Sequence, residues 1–429
     1  MEQVLRSLIW FLEVYLLFLV FVLFLYMIRH YIFTLNRALC RQRFYYQDII
    51  DSDLPFVSVF VPMHNEEKVA RFILEQLVKA DYPRDRYEII PINDHSTDAT
   101  AEILEEYASR YEFVRPLHRY GDTPRGKQNS LNDATKVARG EILIVYDADY
   151  LPPRGQIKIL ANAFKDPEVG AVMGRVIPIN VGKNLLTRLL DLERAGGYQV
   201  NQQARYNLSL ISQYGGTVGG YRKDLFLQLG GFDPNILAED TEFTFRLYVN
   251  GYQVAYANVA ECYEEVPEDW KIRARQLRRW SRGHNQVMFK YLIPLWKSKH
   301  LNFFQKLDGT LLLMVYAQPF FMLLGFLLSI ILFFSGHVYT STTALFFIFL
   351  FSFNTFGNFA PFFEIGLALV LDGSRERILL LPSLFFSFIF NLVYASLGFI
   401  DAIIDFLTKR AVTWHKTERF REELRIQKQ

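Results

Sequence analysis

Cysteine is nearly absent from this chain: Cys40 and Cys262 are the only two in 429 residues, and they lie far apart in sequence. That excludes a disulfide framework and a zinc centre, and it fits thiols in a reducing compartment. A surplus of charge is lacking too. With 47 basic and 45 acidic side chains the formal net charge is +2, which gives no reason to expect nucleic acid as a partner. There are no internal repeats and no low-complexity linker. The most informative lack is local: Asp, Glu, Lys and Arg are all missing from Gly309 to Phe363, and again from Ile378 to Ile400. A helix needs roughly 20 apolar residues to cross a bilayer. Both stretches are long enough.

What is present is apolar and aromatic: 51% of the residues are hydrophobic and 16% are Phe, Trp or Tyr. A third apolar run, Leu8 to Ile28, is broken only by Glu13 and closed by Arg29 and His30. It lacks the basic start and small-residue cleavage site of a signal peptide, so it reads as an anchor over 1–36. The basic residues Arg37, Arg41 and Arg43 follow, and the bias of Lys and Arg toward the cytoplasm puts the next segment there. An amphipathic stretch with Trp296 and several Lys, near 286–300, suits the membrane interface. Spans are expected at 309–334, 342–371 and 378–407. That count puts the tail outside, although Lys409, Arg410, Lys416, Arg419 and Arg421 favour the cytoplasm. Either the last segment is re-entrant or interfacial, or another span is miscounted.

Between the apolar zones, residues 54–284 alternate short β-branched runs with amphipathic helical ones. This predicts an α/β domain with a parallel sheet and crossover helices, Glu66 to Lys79 and Thr97 to Ser109 among them. In such sheets ligands sit at the carboxyl ends of the strands. The expected strands end in His64-Asn65-Glu66, in Asn93-Asp94 and in Asp147-Ala148-Asp149, and stability alone does not require acidic tips. Two carboxylates spaced as Asp147 and Asp149 suit a hard divalent cation with positions open to phosphate oxygens; alone, the pair also fits a solvated turn. Glu239-Asp240 opens a helical segment. It is either a favourable acidic helix start or the place of a general base, Asp240, for an acceptor hydroxyl. Gln276 and Arg279 lie three apart on one helical face and can both donate to a pyrophosphate, while Trp280 offers a flat ring to a sugar. As an isolated run, Lys271 to Arg282 also reads as a basic patch at a membrane surface.

The ordered set HNEE (64–67), NDHSTD (93–98), GKQNSLN (126–132), DAD (147–149), ED (239–240) and QLRRW (276–280) resembles the membrane-integrated family-2 glycosyltransferases. These include cellulose, hyaluronan and poly-N-acetylglucosamine synthases, with ceramide glucosyltransferases as relatives. The resemblance covers residues 54–284 closely. It implies an α/β fold with a cytoplasmic GT-A (Rossmann-like) domain inserted between an N-terminal transmembrane helix and a C-terminal helical membrane bundle over 285–407. It further implies an inverting transferase in the cell membrane that uses a UDP-sugar and Mg²⁺ or Mn²⁺. Asp94 would contact the nucleoside, Lys127 the nucleotide or its phosphates, and Asp147 and Asp149 the phosphate-bound metal. Asp240, with Glu239 beside it, would act as base, Gln276 and Arg279 would bind pyrophosphate, and Trp280 would lie under the acceptor sugar. Gly216 and Thr217, within the small-residue segment Tyr214 to Gly220, would abut the acceptor. Trp414, Thr417 and Arg419 in the tail 408–429 are similar to the family's gating loop and imply a cytoplasmic tail. The pattern departs at Ala238, where cellulose-type enzymes have Thr, and at Asn93, where Asp is common. The tail is also too short for a cyclic-dinucleotide domain, so regulation of that kind is not expected within this chain.

Two acceptors fit. A growing β-linked polysaccharide, passed across the membrane as it forms, is the leading expectation, supported by polar or aromatic residues inside the spans (Gln318, Asn354, Asn358, Asn391, Tyr394). Each of these equally suits helix–helix hydrogen bonding. Transfer of one sugar to a ceramide- or diacylglycerol-type lipid is the alternative. An accessory membrane subunit and a homo-oligomer both remain open as partners. A non-catalytic transporter or scaffold is set aside, because a decayed site has no need of its acidic positions.

Overall fold

The computed structural model describes residues 2–43, 53–334 and 359–408. Its centre is a seven-stranded sheet in the order β3-β2-β1-β4-β6-β5-β7, built from β1 (Val57–Met63), β2 (Tyr87–Asp94), β3 (Leu117–Arg119), β4 (Ile142–Val145), β5 (Val169–Pro178), β6 (Gly219–Arg222) and β7 (Gln253–Glu264). The first four strands pair in parallel. The expected parallel pairing is interrupted at β6, which runs antiparallel to both β4 and β5, and resumes between β5 and β7. Strands β1, β2, β4 and β5 are buried on both faces, as a sheet covered by helices requires. Val57, Val59, Val61 and Met63 point into one core layer, while Phe60, Ile90, Ile92, Leu143 and Val145 point into the other. That is the period-two alternation of a strand.

Helices α2 (Ala70–Val78), α3 (Thr100–Arg110), α4 (Lys127–Val137) and α5 (Gln156–Asn162) belong to this unit. So do α6 (Leu185–Ala195), α7 (Gln203–Asn207), α8 (Lys223–Gln228) and α9 (Glu239–Val249). α2 buries Ala70, Ile73, Leu74, Leu77 and Val78, the i, i+3, i+4 stripe of a helix lying on a sheet. It begins four residues later than the sequence pattern predicts. Asn65, Glu66 and Glu67 instead exchange hydrogen bonds with Ser96, Thr97, Asp98 and Thr100, which ties the β1 and β2 loops together at the carboxyl edge.

The first helix, α1 (Glu2–Leu39), is one continuous element of 38 residues, longer than the anchor of 1–36. At about 1.5 Å per residue it exceeds a bilayer core of about 30 Å. Its outer half exposes Trp10, Phe11 and Phe18; its inner half is tied to the rest of the chain. Arg29 Nε donates to Asp308 Oδ1 at 2.7 Å, and Arg205 Nη1 donates to Asp308 Oδ2 at 2.8 Å. Arg37 Nε donates to the Gln199 carbonyl at 2.8 Å.

The stretch expected to end the α/β domain and the interfacial stretch after it form a single helix, α10 (Trp270–Lys297), capped by Asp269. The expected span 309–334 falls on two helices, α11 (Phe303–Leu313) and α12 (Gln318–Phe334), bent by 68°. Pro319, at the start of α12, has no N–H for the preceding turn, so α11 cannot run on through it. Of the span 342–371 the described part is α13 (Phe359–Leu371). After a 3₁₀ segment, Arg375–Ser383, α14 (Leu384–Thr408) closes the described chain. Among the described residues two helices are long and apolar enough to cross a membrane, Ile9–Leu39 and Arg375–Thr408, or three if the bent pair is one span.

Candidate active site

The carboxyl ends of β1, β2 and β4 meet the N-termini of α4 and α9, and the polar motifs gather there. Backbone geometry at this edge is unusual. Asn65 and His95, at the ends of β1 and β2, have φ of 55° and 58°, and the β-branched Val218 has φ of 49°. Such values in non-glycine residues cost free energy and cluster at working sites.

Asp94 is buried at the tip of β2. Its Oδ1 accepts from Arg119 Nη1 at 2.5 Å and lies 2.8 Å from His95 Nδ1, and its Oδ2 accepts from the Gly126 N–H at 2.8 Å. Gly126 has φ of 112°, a conformation that side chains disfavour, and it turns the chain into α4. The next residue, Lys127, therefore starts α4 with its side chain over the β4 tip. Its Nζ donates to Asp147 Oδ1 at 2.7 Å and stands 4.0 Å from Glu239 Oε1. Burial opposes the Lys127 charge, but Asp147 and Glu239 outweigh it and raise the ammonium pKa. Asp149 is buried on the same turn. The Asp147 N–H donates to the Thr217 hydroxyl at 3.0 Å, so the segment before β6 braces the β4 tip.

Glu239 and Asp240 open α9. Gln128 Nε2 donates to Glu239 Oε2 at 3.3 Å. Burial pushes the Glu239 carboxyl up to about 7, with Lys127 pulling it down and Asp240 adding to the rise. Asp240 Oδ1 accepts from the Thr241 N–H at 2.6 Å. Its Oδ2 lies over Gly216, where a Cβ would come within 3.3 Å of it. Gly216 itself has φ of 73°, so backbone and space both call for glycine. The Thr241 hydroxyl accepts from Gln213 Nε2 at 2.8 Å and stands 3.1 Å from His284 Nε2. Burial lowers the His284 pKa to about 4, against the pull of Asp240, and keeps the ring neutral.

Gln276, Arg279 and Trp280 all lie on α10. Trp280 carries two guanidinium groups over its ring, Arg194 and Arg273, each 5.4 Å from the centroid. Arg273 also donates to Gln276 Oε1 at 3.0 Å and to Glu193 Oε2 at 2.8 Å. Arg194 Nε donates to Glu264 Oε1 at 2.6 Å, and Tyr150 Oη donates to Glu264 Oε2 at 2.7 Å. Tyr150 follows Asp149 directly. A continuous chain of contacts therefore runs from the Asp147–Asp149 turn through Tyr150, Glu264 and Arg194 to Trp280. Sequence reasoning missed these intermediates. Glu264 ends β7 as Asp94 ends β2, so the acidic-tip signal applied to it; Arg194, inside α6, carried no local signal. Thr417, Arg419 and Trp414 lie outside the described residues.

Asp147 and Asp149 present carboxylate oxygens on one turn, and an ammonium already rests on one of them, so the site favours a cation. Among the described residues no three His, Cys, Asp or Glu side chains group as metal ligands. The donor set fits a hard divalent ion that takes its remaining oxygens from a bound ligand.

The glycosyl transferase family 2 model matches residues 58–230, which include the tips of β1, β2 and β4. Those residues form a family-2 glycosyltransferase domain. Among curated proteins the chain is 37% identical over 249 residues to the probable glycosyltransferase YdaM of Bacillus subtilis, covering 58% of this chain and 59% of that protein. It is 31% identical over 253 residues to the beta-monoglucosyldiacylglycerol synthase of a Nostoc species, covering 58% of this chain and 53% of that one. The matches thus span only 53–59% of the length of these relatives. Among solved structures the mannosyltransferase PcManGT from Pyrobaculum calidifontis, in complex with GDP-Man and Mn²⁺, aligns with a TM-score of 0.59. That alignment covers 91% of this chain and 99% of the other at 20% identity. It shows that the glycosyltransferase domain shares the GT-A fold.

Proposed function

We propose that the chain is an inverting glycosyltransferase that moves a sugar from a UDP-sugar to the end of a growing β-linked saccharide at the cytoplasmic face of a cell membrane. The observation that carries this reading is the reach of Lys127 between Asp147 and Glu239, which draws the β4 tip and the start of α9 into one site. Asp240 takes the proton of the acceptor hydroxyl as that oxygen attacks the anomeric carbon and the nucleoside diphosphate departs. Its Oδ1 is held by the Thr241 N–H, which leaves Oδ2 toward the space above Gly216. Lys127 supplies positive charge to the departing diphosphate, and Gln276 and Arg279 donate to it from α10. Asp94 stands at the nucleoside end, Trp280 stacks against the acceptor ring, and Gly216 and Thr217 leave it room. Asp147 and Asp149 would hold a divalent ion, Mg²⁺ or Mn²⁺, which would supply charge neutralisation to the leaving diphosphate. Thr417 and Arg419 are assigned to donor binding on the family resemblance of their motif alone.

In this reading α1 anchors the chain and the apolar helices α11 to α14 form its membrane part. A second reading, one sugar added to a diacylglycerol-type lipid, is favoured by the similarity to a monoglucosyldiacylglycerol synthase. Labelled donor separates the two: a water-soluble ladder supports the saccharide acceptor, and a single organic-extractable product supports the lipid. Asp240→Asn tests both at the shared step. It is expected to lower turnover by roughly 10²–10⁴-fold with donor affinity nearly unchanged, and near-normal turnover would remove Asp240 from the mechanism.

A further inference from the structure

A cavity of about 440 Å³ opens at the carboxyl ends of β5 and β7, beside α6. That is within the usual range of small-ligand sites, about 300–1,000 Å³. The connection 371–377, between α13 and the last apolar segment, forms its far wall. The lining is charged but balanced: Arg175, Arg194 and Arg377 against Asp191, Glu261 and Asp372. Arg175 joins Glu261 at 3.2 Å and Asp372 at 2.6 Å, and Arg377 joins Asp191 at 2.5 Å. These pairs leave further guanidinium N–H groups and carboxylate lone pairs to engage a ligand. Tyr263, also in the lining, keeps 37% of its surface exposed.

Three classes of ligand can be weighed against this wall. An apolar ligand would strand the charged groups. A phosphate would meet as many carboxylates as guanidinium groups. A neutral polyhydroxylated ring suits both, since each hydroxyl donates and accepts, and its C–H face can lie on the Tyr263 ring. The cavity also shares a wall with the acceptor platform, because Arg194 lines it and stands 5.4 Å from the Trp280 ring centroid.

We propose that this cavity is a carbohydrate subsite that holds acceptor sugars beyond the one undergoing transfer. The proposal rests on the reading of the chain as a glycosyltransferase, and it favours a saccharide acceptor over a single-sugar lipid. It is tested with the full-length chain in nanodiscs by saturation-transfer NMR, using cellotetraose and chitotetraose without donor. Wild type should bind at least one tetrasaccharide. Tyr263→Ala, which removes the ring, and Ser374→Trp, which fills the cavity from the 371–377 wall, should each weaken that binding by about tenfold and leave UDP affinity unchanged. In turnover both variants should keep UDP release and shorten the products. Binding that survives both substitutions, no tetrasaccharide binding by wild type, or displacement by millimolar inorganic phosphate would each overturn the subsite. Failure of wild type to turn over any UDP-sugar would count against the catalytic reading instead, and the binding arm would still decide the subsite.

Discussion

Glu239 and Asp240 are neighbours in sequence with different surroundings. Glu239 is buried against Lys127 and Gln128, and its carboxyl is pushed up to about 7. Its folded pKa lies above the ordinary value, so the folded state holds the proton more tightly than the unfolded chain. Stability from this group is therefore present at low pH and lost as pH rises through about 7. Glu239→Gln should raise the melting temperature of the metal-free protein more at pH 8 than at pH 5; an equal effect at both would show that Glu239 does not titrate in this range. Gly216→Ala would set a Cβ 3.2 Å from Asp240 Cβ at a φ of 73°. It should lower kcat by on the order of 10–100-fold through displacement of Asp240, with donor KM little changed. Unaltered kcat would mean the segment yields freely. Most of these residues were legible because strand tips and helix starts mark themselves in sequence. The Tyr150–Glu264–Arg194 chain was not, since its members lie on three elements brought together only by the fold.

At the scale of elements, the catalytic unit and the apolar helices interlock through charge. Arg278 and Arg282 of α10 form two-bond pairs with Asp401 and Asp405 of α14. Glu193 of α6 accepts from Ser387 and Asn391 of α14. Asn391 thus serves a contact between elements, one of the two roles its sequence left open. Hydropathy alone reads α14 as a span, whereas the C-terminal half of this helix lies along α10. No periodicity in the sequence could show that packing. The buried trio Arg29, Asp308 and Arg205 joins α1 to α7 and α11. Asp308→Ala would leave two guanidinium groups buried without their carboxylate, a loss of about 3–5 kcal/mol. A melting temperature in detergent unchanged from wild type would show that this trio contributes nothing to holding α1 in place.

For the whole molecule, the fold was legible because alternating strands and helices, acidic strand tips and charge-free runs are all written locally. The antiparallel β6 and the single long α10 depend on packing and escaped that reading, whereas Pro319 marks the break between α11 and α12 locally. The donor sugar is set by pocket shape and is open to direct assay. The measurement that tests the account most directly is UDP release by the purified full-length chain, run across a panel of UDP-sugars with Mn²⁺ or Mg²⁺ and then in excess EDTA. The account predicts turnover with at least one donor, its loss on chelation and its return with either metal. No UDP release from any donor, or full turnover by a metal-free preparation in EDTA, would contradict it.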